Sequence, residues 1–233
     1  MFNELNADSY KNSGYFYTKE FEGILGKIVH CYNKMIADKI TLENDEERIR
    51  DCLYTKYLNK KDIRKEFDIY YNIDCEPSEY DSNGNLKGYL DLKIFGRNEF
   101  EYESPFYIIE CKRLDDINLQ GTTGLNAEYI KNGIQRFTAK QYSCYYRING
   151  MIGFVVKKID VNENINNINT LLINTYKNIT TLLELKKSDF IQNFEFQYIS
   201  EHKDNDKKEL RLYHLMFDFS KNMKRKDSSD TNL

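Results

Sequence analysis

Residues 106–111 form a nearly continuous apolar run that constrains the fold strongly. Such a run is typical of a strand buried on both faces of a sheet. A Gly/Thr-rich loop at 120–125 and a helical pattern at 127–147 follow it, and a second apolar run occupies residues 150–156. A buried strand, a helix and another buried strand in this order predict a βαβ unit with two parallel strands.

The segments on both sides of this unit predict further helices and strands. Apolar residues at helical spacing indicate helices at 17–40 and 165–185, and the acidic segment 44–47 indicates the start of another helix, with Asn44 or Asp45 as its N-cap. Four segments are typical of strands: 67–73, 89–95, 194–200 and 210–219. The last two predict an antiparallel hairpin. The predicted fold class is α/β, with a central mixed sheet flanked by helices and a C-terminal antiparallel hairpin.

Composition favours one domain. The 233 residues include only 2 Pro and 11 Gly, and no segment resembles a linker. We expect a single domain at 1–220 and a polar, basic tail at 221–233 that is disordered. No apolar run is long enough to span a bilayer, and the N-terminal residues lack the basic and apolar segments of a signal peptide. A cytoplasmic location without membrane contact is therefore expected.

Charge and metal-binding residue types narrow the function classes. The net charge of −3 argues against a nucleic-acid coat or architectural protein, but not against an enzyme with local positive charge in a cleft. The 5 cysteines are scattered and never form CxxC, which argues against a disulfide framework and a zinc site. His202 and His214 lie among alternating Tyr, Leu and Phe residues in the predicted hairpin, which favours packing over a catalytic role.

Asp91, Glu110 and Lys112 form a candidate catalytic group. Side chains at i and i+2 of a strand project to the same face, so Glu110 and Lys112 point together. Asp91 lies in the preceding predicted strand, and if the two strands are adjacent, both carboxylates and the ammonium group converge. Two close carboxylates repel each other, and a divalent cation such as Mg²⁺ removes that repulsion. The alternative is that Asp91 is a solvent-facing strand residue and that Glu110 and Lys112 form a surface ion pair.

These residues resemble the PD-(D/E)xK, or restriction-endonuclease-like, nucleases. The matching segments are Gly88-Tyr89-Leu90-Asp91 and Ile108-Ile109-Glu110-Cys111-Lys112, although Leu90 stands where the family name has Pro. The resemblance implies a metal-dependent nuclease with a mixed sheet flanked by helices. It further implies that Asp91, Glu110 and the backbone carbonyl of Cys111 bind Mg²⁺, with Mn²⁺ as a substitute, and that Lys112 is a catalytic base or stabilises developing charge.

The resemblance also implies accessory residues on two helices. A helix that precedes the motif in the family often adds a Glu, and Glu46 is the candidate here, with Glu47 as the second choice. For both, an acidic residue that interacts with the helix dipole is the alternative. A later helix often carries Gln, which Gln141 matches, with a solvated mid-helix side chain as the alternative. Arg136 and Lys140 on that helix are candidates for phosphate contacts, with a solvated helix face as the alternative.

Three hypotheses about function follow. The first is a metal-dependent DNA endonuclease in bacterial restriction or anti-phage defence, which could act with a partner protein or as a homodimer. The second is a catalytically inactive nuclease-fold module that binds nucleic acid or protein within a defence complex. The third is an unrelated α/β interaction protein whose Glu110–Lys112 pair is only a surface feature, and a large separation of Asp91 and Glu110 would favour it. The sequence leaves open the kind of nucleic acid and the recognised sequence, because it contains no base-reading motif.

Overall fold

The computed structural model describes residues 13–66, 71–80, 86–96, 106–142, 144 and 146–224. Seven strands form one mixed sheet in the order β1-β4-β5-β6-β9-β8-β7. These strands are β1 (Tyr71–Cys75), β4 (Leu92–Gly96), β5 (Phe106–Leu114), β6 (Ile148–Val155), β7 (Thr180–Lys187), β8 (Gln197–Lys203) and β9 (Glu209–Asp218). The short strands β2 (Ser78–Tyr80) and β3 (Leu86–Tyr89) pair with each other outside it.

The centre of the sheet is parallel and its margins are antiparallel. β5 pairs with β6, and β6 with β9, in parallel register, while β4 runs antiparallel to β5. The predicted βαβ unit is confirmed by the parallel pairing of β5 and β6. The predicted C-terminal hairpin is confirmed by the antiparallel pairing of β8 and β9. Parallel neighbouring strands require a crossover connection over one face of the sheet, and helices form these connections.

Helices cover both faces of the sheet. On one face, α1 (Ser13–Ala37) and α2 (Glu46–Leu53) bury Phe21, Leu25, Ile49 and Leu53. A π-helical turn at Tyr54–Leu58 and α3 (Lys61–Glu66) continue α2. On the other face lie α4 (Leu125–Tyr129), a π-helical turn at Ile130–Ile134, α5 (Gln135–Thr138) and α6 (Val161–Asn174). Among the described residues, none of these helices is both long and apolar enough to cross a membrane.

The helix predicted at 127–147 ends much earlier, at Thr138. Lys140 adopts a left-handed backbone conformation with φ of 59°, which reverses the chain. The backbone N–H of Asn205, in the β8–β9 turn, donates to the Thr138 carbonyl at 3.0 Å and binds one of the last helical acceptors. A tertiary contact therefore ends a helix that the local apolar spacing would have continued.

The helix predicted at 165–185 was wrong in its second half. It ends at Asn174, and residues 180–187 form β7, the last strand of the sheet. The Asn169 side chain accepts from the Leu185 N–H at 2.9 Å and donates to its carbonyl at 3.0 Å. The buried Asn169 amide thus links β7 to α6. Because few side chains of β7 are buried, its sequence does not show the two-residue hydrophobic repeat of a strand.

The boundaries of several other predicted elements shift. The strand predicted at 67–73 corresponds to β1 at Tyr71–Cys75, and residues 67–70 lie outside the described residues. The strand predicted at 89–95 is divided into β3 and β4 by a bend at Asp91. At the C-terminus, the predicted disordered tail begins too early, because Met223 forms a β-bridge with Leu42. Residues 225–233 of that tail lie outside the described residues.

A chain of hydrogen bonds crosses the core beneath α4. The Tyr129 hydroxyl lies 2.8 Å from His214 Nδ1, and Ser200 Oγ lies 2.8 Å from His214 Nε2 and 2.7 Å from His202 Nε2. Thr181 Oγ1 ends the chain, 3.2 Å from His202 Nδ1. Burial lowers the pKa of His202 to about 4 and that of His214 well below its ordinary value. Both imidazoles are therefore neutral structural groups at neutral pH, in agreement with the packing role favoured by the sequence.

These histidines should make the fold sensitive to acid. An imidazole titrates near 6.5 in the unfolded chain, so His202 stabilises the fold fully above that pH and loses its contribution as the pH falls towards 4. Between pH 7 and pH 5, His202 alone should remove about 2 kcal/mol from the free energy of unfolding. Urea denaturation at both pH values measures this loss. His202→Gln, which cannot titrate, should show a correspondingly smaller loss, and equal losses in both proteins would contradict the prediction.

Candidate active site at the open edge of β5

β4 pairs with β5 only as far as Leu92 and Ile109, although β5 continues to Leu114. Beyond this point, side chains bind the N–H groups of β5 that face the β4 side. Asp91 Oδ2 accepts from the Cys111 N–H at 2.7 Å, and Glu46 Oε2 accepts from the Arg113 N–H at 3.0 Å. Both carboxylates are thereby fixed at the strand edge, where an unsatisfied buried N–H would be costly. Glu110 and Lys112 lie within the part of β5 that stays paired with β6 on its other side.

The Lys112 ammonium group lies among oxygen atoms from four residues. Its Nζ is 2.7 Å from Glu110 Oε1, 2.7 Å from the Cys111 carbonyl and 2.9 Å from Glu46 Oε1. Asp91 Oδ2 is farther away, at 3.9 Å. Burial lowers the pKa of Lys112, but the surrounding carboxylates outweigh burial and raise the pKa above its ordinary value. The ammonium group therefore carries a stable positive charge here.

Glu110 is almost completely buried, and both of its carboxylate oxygens are bound. Arg136 Nη1 donates to Oε1 at 2.9 Å, and the Tyr142 hydroxyl donates to Oε2 at 2.8 Å. Arg136 Nη1 also donates to the Tyr142 hydroxyl at 2.5 Å. Burial, followed by the nearby charge of Asp91, raises the pKa of Glu110 to about 7 against the opposing effect of Lys112 and Arg136. A cation in this position stabilises the ionised form of Glu110.

Arg50 belongs to the site but was not predicted. Its guanidinium group is only 4% exposed, and its Nη1 donates to Asp91 Oδ1 at 2.7 Å. Its Nη2 donates to Glu76 at 2.6 Å and to Asp51 at 2.9 Å. Burial opposes the charge, but the hydrogen bonds to Asp91 and Asp51 raise the pKa above its ordinary value. The spacing could have indicated Arg50, because it lies four residues after Glu46 and so on the same helix face.

The structure brings five predicted site groups together: the side chains of Asp91, Glu110, Lys112 and Glu46 and the carbonyl of Cys111. Asp45 is the N-cap of α2, which places Glu46 in the first turn, directed at β5, while Glu47 is exposed. The Glu46 carboxylate thus lies near the helix N-terminus and also contacts Lys112, while its role as a metal ligand stays a prediction.

The accessory residues of the later helix are placed differently from the prediction. Gln141 is not helical, and its amide lies beside Gly88 of β3. The neighbouring Tyr142 contacts Glu110 instead. Arg136 binds Glu110, and Lys140 pairs with Asp206 in the β8–β9 turn. A phosphate contact by Arg136 or Lys140 stays a prediction.

The oxygen atoms around Lys112 suit a hard divalent cation. Carboxylate and carbonyl oxygens are the ligands that Mg²⁺ prefers, and here three carboxylates and one carbonyl face a single point at which the structure places a cationic group. Among the described residues, no three His, Cys, Asp or Glu side chains already have the spacing that holds a metal ion. Because the Lys112 ammonium group occupies the point at which these oxygen atoms meet, binding of a metal ion there would require Lys112 to move away from the carboxylates.

Comparisons of the chain with protein-family models, with curated proteins and with solved structures found no match.

Removing the Tyr142 hydroxyl tests how much its hydrogen bond to Glu110 contributes to stability. Tyr142→Phe should lower the free energy of unfolding by about 1–3 kcal/mol, because Glu110 Oε2 loses a donor in a buried position. Urea denaturation at neutral pH measures the effect. Tyr89→Phe is the matched control, since Tyr89 is 60% exposed, and it should change stability by less than about 0.5 kcal/mol. An equal effect of the two substitutions would show that the contact with Glu110 is energetically unimportant.

Proposed function

We propose that the chain is a metal-dependent endonuclease of the PD-(D/E)xK type that hydrolyses phosphodiester bonds in DNA. The observation that carries the proposal is the convergence of Asp91, Glu110, Glu46 and the Cys111 carbonyl on the ammonium group of Lys112. Carboxylates gathered at the open edge of a buried strand are costly unless they bind a cation. A nuclease needs such a cluster to hold Mg²⁺ and to direct Lys112 at a reacting phosphate.

Each residue has a role that its contacts support. Asp91, Glu110, Glu46 and the Cys111 carbonyl would hold Mg²⁺, or Mn²⁺ in its place. When bound, the ion would polarise a phosphoryl oxygen and lower the pKa of a coordinated water. Lys112, displaced from the carboxylates but still beside them, would orient the attacking water or offset developing negative charge. Arg136 and Tyr142 hold Glu110 in place.

The arrangement of elements agrees with a restriction-endonuclease-like core. The bend before β4 supplies Asp91, β5 supplies Glu110 and Lys112, and α2 supplies the preceding Glu. The crossover from β5 to β6 then supplies Arg136. Restriction or anti-phage defence in the cytoplasm is the setting proposed from the family resemblance. Cleavage of both strands of a duplex would use a second active site, which a homodimer or a partner protein would provide.

Cleavage assays on plasmid, linear and single-stranded DNA test the activity. Wild-type protein should cut with Mg²⁺ or Mn²⁺ and should be inactive in EDTA. Asp91→Asn and Lys112→Ala should each reduce cleavage roughly 100-fold or more, because each removes a group that acts on the reacting phosphate or its metal ion. Circular dichroism should show that both variants remain folded.

Exposed residues of the same types provide the controls. Asp189→Asn and Lys131→Ala alter exposed side chains and should leave cleavage unchanged. A folded Lys112→Ala protein with full activity would refute the proposed site. Cleavage that persists in EDTA would refute its dependence on a metal ion.

The second candidate is a catalytically inactive module of the same fold that binds nucleic acid or protein in a defence complex. One observation favours it: Lys112, Arg50 and Arg136 already balance the charges of Asp91, Glu110 and Glu46. A site with this balance does not require a metal ion for stability. Wild-type protein that binds duplex DNA, but takes up no Mn²⁺ in calorimetry and cuts nothing, would support this candidate over the enzyme.

A further inference from the structure

The Asp91 carboxylate lies between two cationic side chains. Its Oδ1 accepts from Arg50 Nη1 at 2.7 Å, and its Oδ2 faces Lys112 Nζ at 3.9 Å. Arg50 in turn binds Glu76 and Asp51, so three carboxylates meet at one guanidinium group. Two oxygen-rich clusters therefore share Asp91, one centred on Lys112 and the other on Arg50.

The two cations differ in how easily they can leave. Lys112 has a flexible stem and a single ammonium group, so its side chain can swing away while the β5 backbone stays in place. Arg50 uses Nη1, Nη2 and Nε in hydrogen bonds to its carboxylates, and its side chain is only 4% exposed. Moving it would leave buried Asp91 without its partner at Oδ1, which is strongly unfavourable. Arg50 is therefore a permanent part of the site.

We infer that Arg50 takes the position that a second divalent ion would need, so that the site binds one exchangeable ion per chain. Sites that bind two ions hold them on either side of a shared carboxylate cluster, about 3.5–4 Å apart. Here the second cluster, formed by Asp91, Glu76 and Asp51, already encloses a fixed guanidinium. Arg50 also fixes Asp91 so that only Oδ2 faces the first cluster. This inference rests on the proposed metal-dependent function.

Counting bound Mn²⁺ tests the inference without any measurement of activity. Full-length wild-type protein, titrated with Mn²⁺ alone and monitored by electron paramagnetic resonance of the free ion, should bind one Mn²⁺ per chain that Mg²⁺ displaces. Arg50→Gln removes the cation but keeps a polar side chain, so Asp91, Glu76 and Asp51 become available and the count should rise to two. Arg50→Lys keeps a positive charge and should still bind one.

Two further variants serve as controls. Arg48→Gln alters an exposed arginine of the same helix and should leave the count at one. Asp51→Asn and Glu76→Gln, added to Arg50→Gln, should return the count from two to one, because they remove two ligands of the second cluster. Circular dichroism should verify that each variant is folded.

The possible results separate this inference from the proposed function. One ion in the wild type and two in Arg50→Gln support both. Two ions in the wild type, or one in a folded Arg50→Gln protein, overturn the role of Arg50 and leave the metal-dependent function standing. No ion in the wild type overturns both. If Arg50→Gln fails to fold, the wild-type count alone decides, since a second ion there contradicts the inference.

Discussion

The site depends on the point at which β4 stops pairing with β5. Beyond Leu92 and Ile109, the N–H groups of Cys111 and Arg113 require acceptors from outside the sheet. Asp91, at the bend that ends the pairing, provides one, and Glu46, in the first turn of α2, provides the other. The same end of pairing leaves the Cys111 carbonyl to interact with a cation instead of a neighbouring strand. The hydrogen bonding of these backbone N–H groups and the clustering of the carboxylates thus have one cause.

Charge balance then decides how the gathered groups are held. Asp91 has Arg50, Glu110 has Lys112 and Arg136, and Glu46 has Lys112. Glu110 bears the greatest burial, which is why its pKa rises despite two cationic neighbours. In a network of this kind a change in one member alters the hydrogen bonding of the next, so single substitutions are not additive. In the proposed function, Lys112 is the member that moves, because its flexible stem lets the ammonium group leave the carboxylates while the β5 backbone stays in place.

The parts of the site that were predictable follow from local periodicity. The two-residue repeat of a strand places Glu110 and Lys112 on one face, and antiparallel pairing of adjacent strands brings Asp91 to them. Glu46 was found by family resemblance, since its helix is distant in sequence. Arg50 was not predicted: its spacing places it on the helix face of Glu46, but an arginine among polar helical residues gives no signal that its side chain is buried. The backbone N–H of Asn205 binds the last turn of α5, and the Asn169 side chain binds β7 at Leu185. Each contact joins residues more than ten positions apart in the chain, so local apolar spacing does not reveal it.

The chain reversal that ends α5 also allows two side chains of this segment to bind Glu110. Arg136 is helical, and Tyr142 follows it by six residues across the reversal at Lys140. In a continuous helix, six residues would separate the two by about 9 Å along the axis and place them on different faces. They could not then share one carboxylate. Because the chain reverses, the Tyr142 hydroxyl reaches both Arg136 and Glu110. A continuous helix, as the apolar spacing predicted, would therefore have left Glu110 without one of its two donors from this segment.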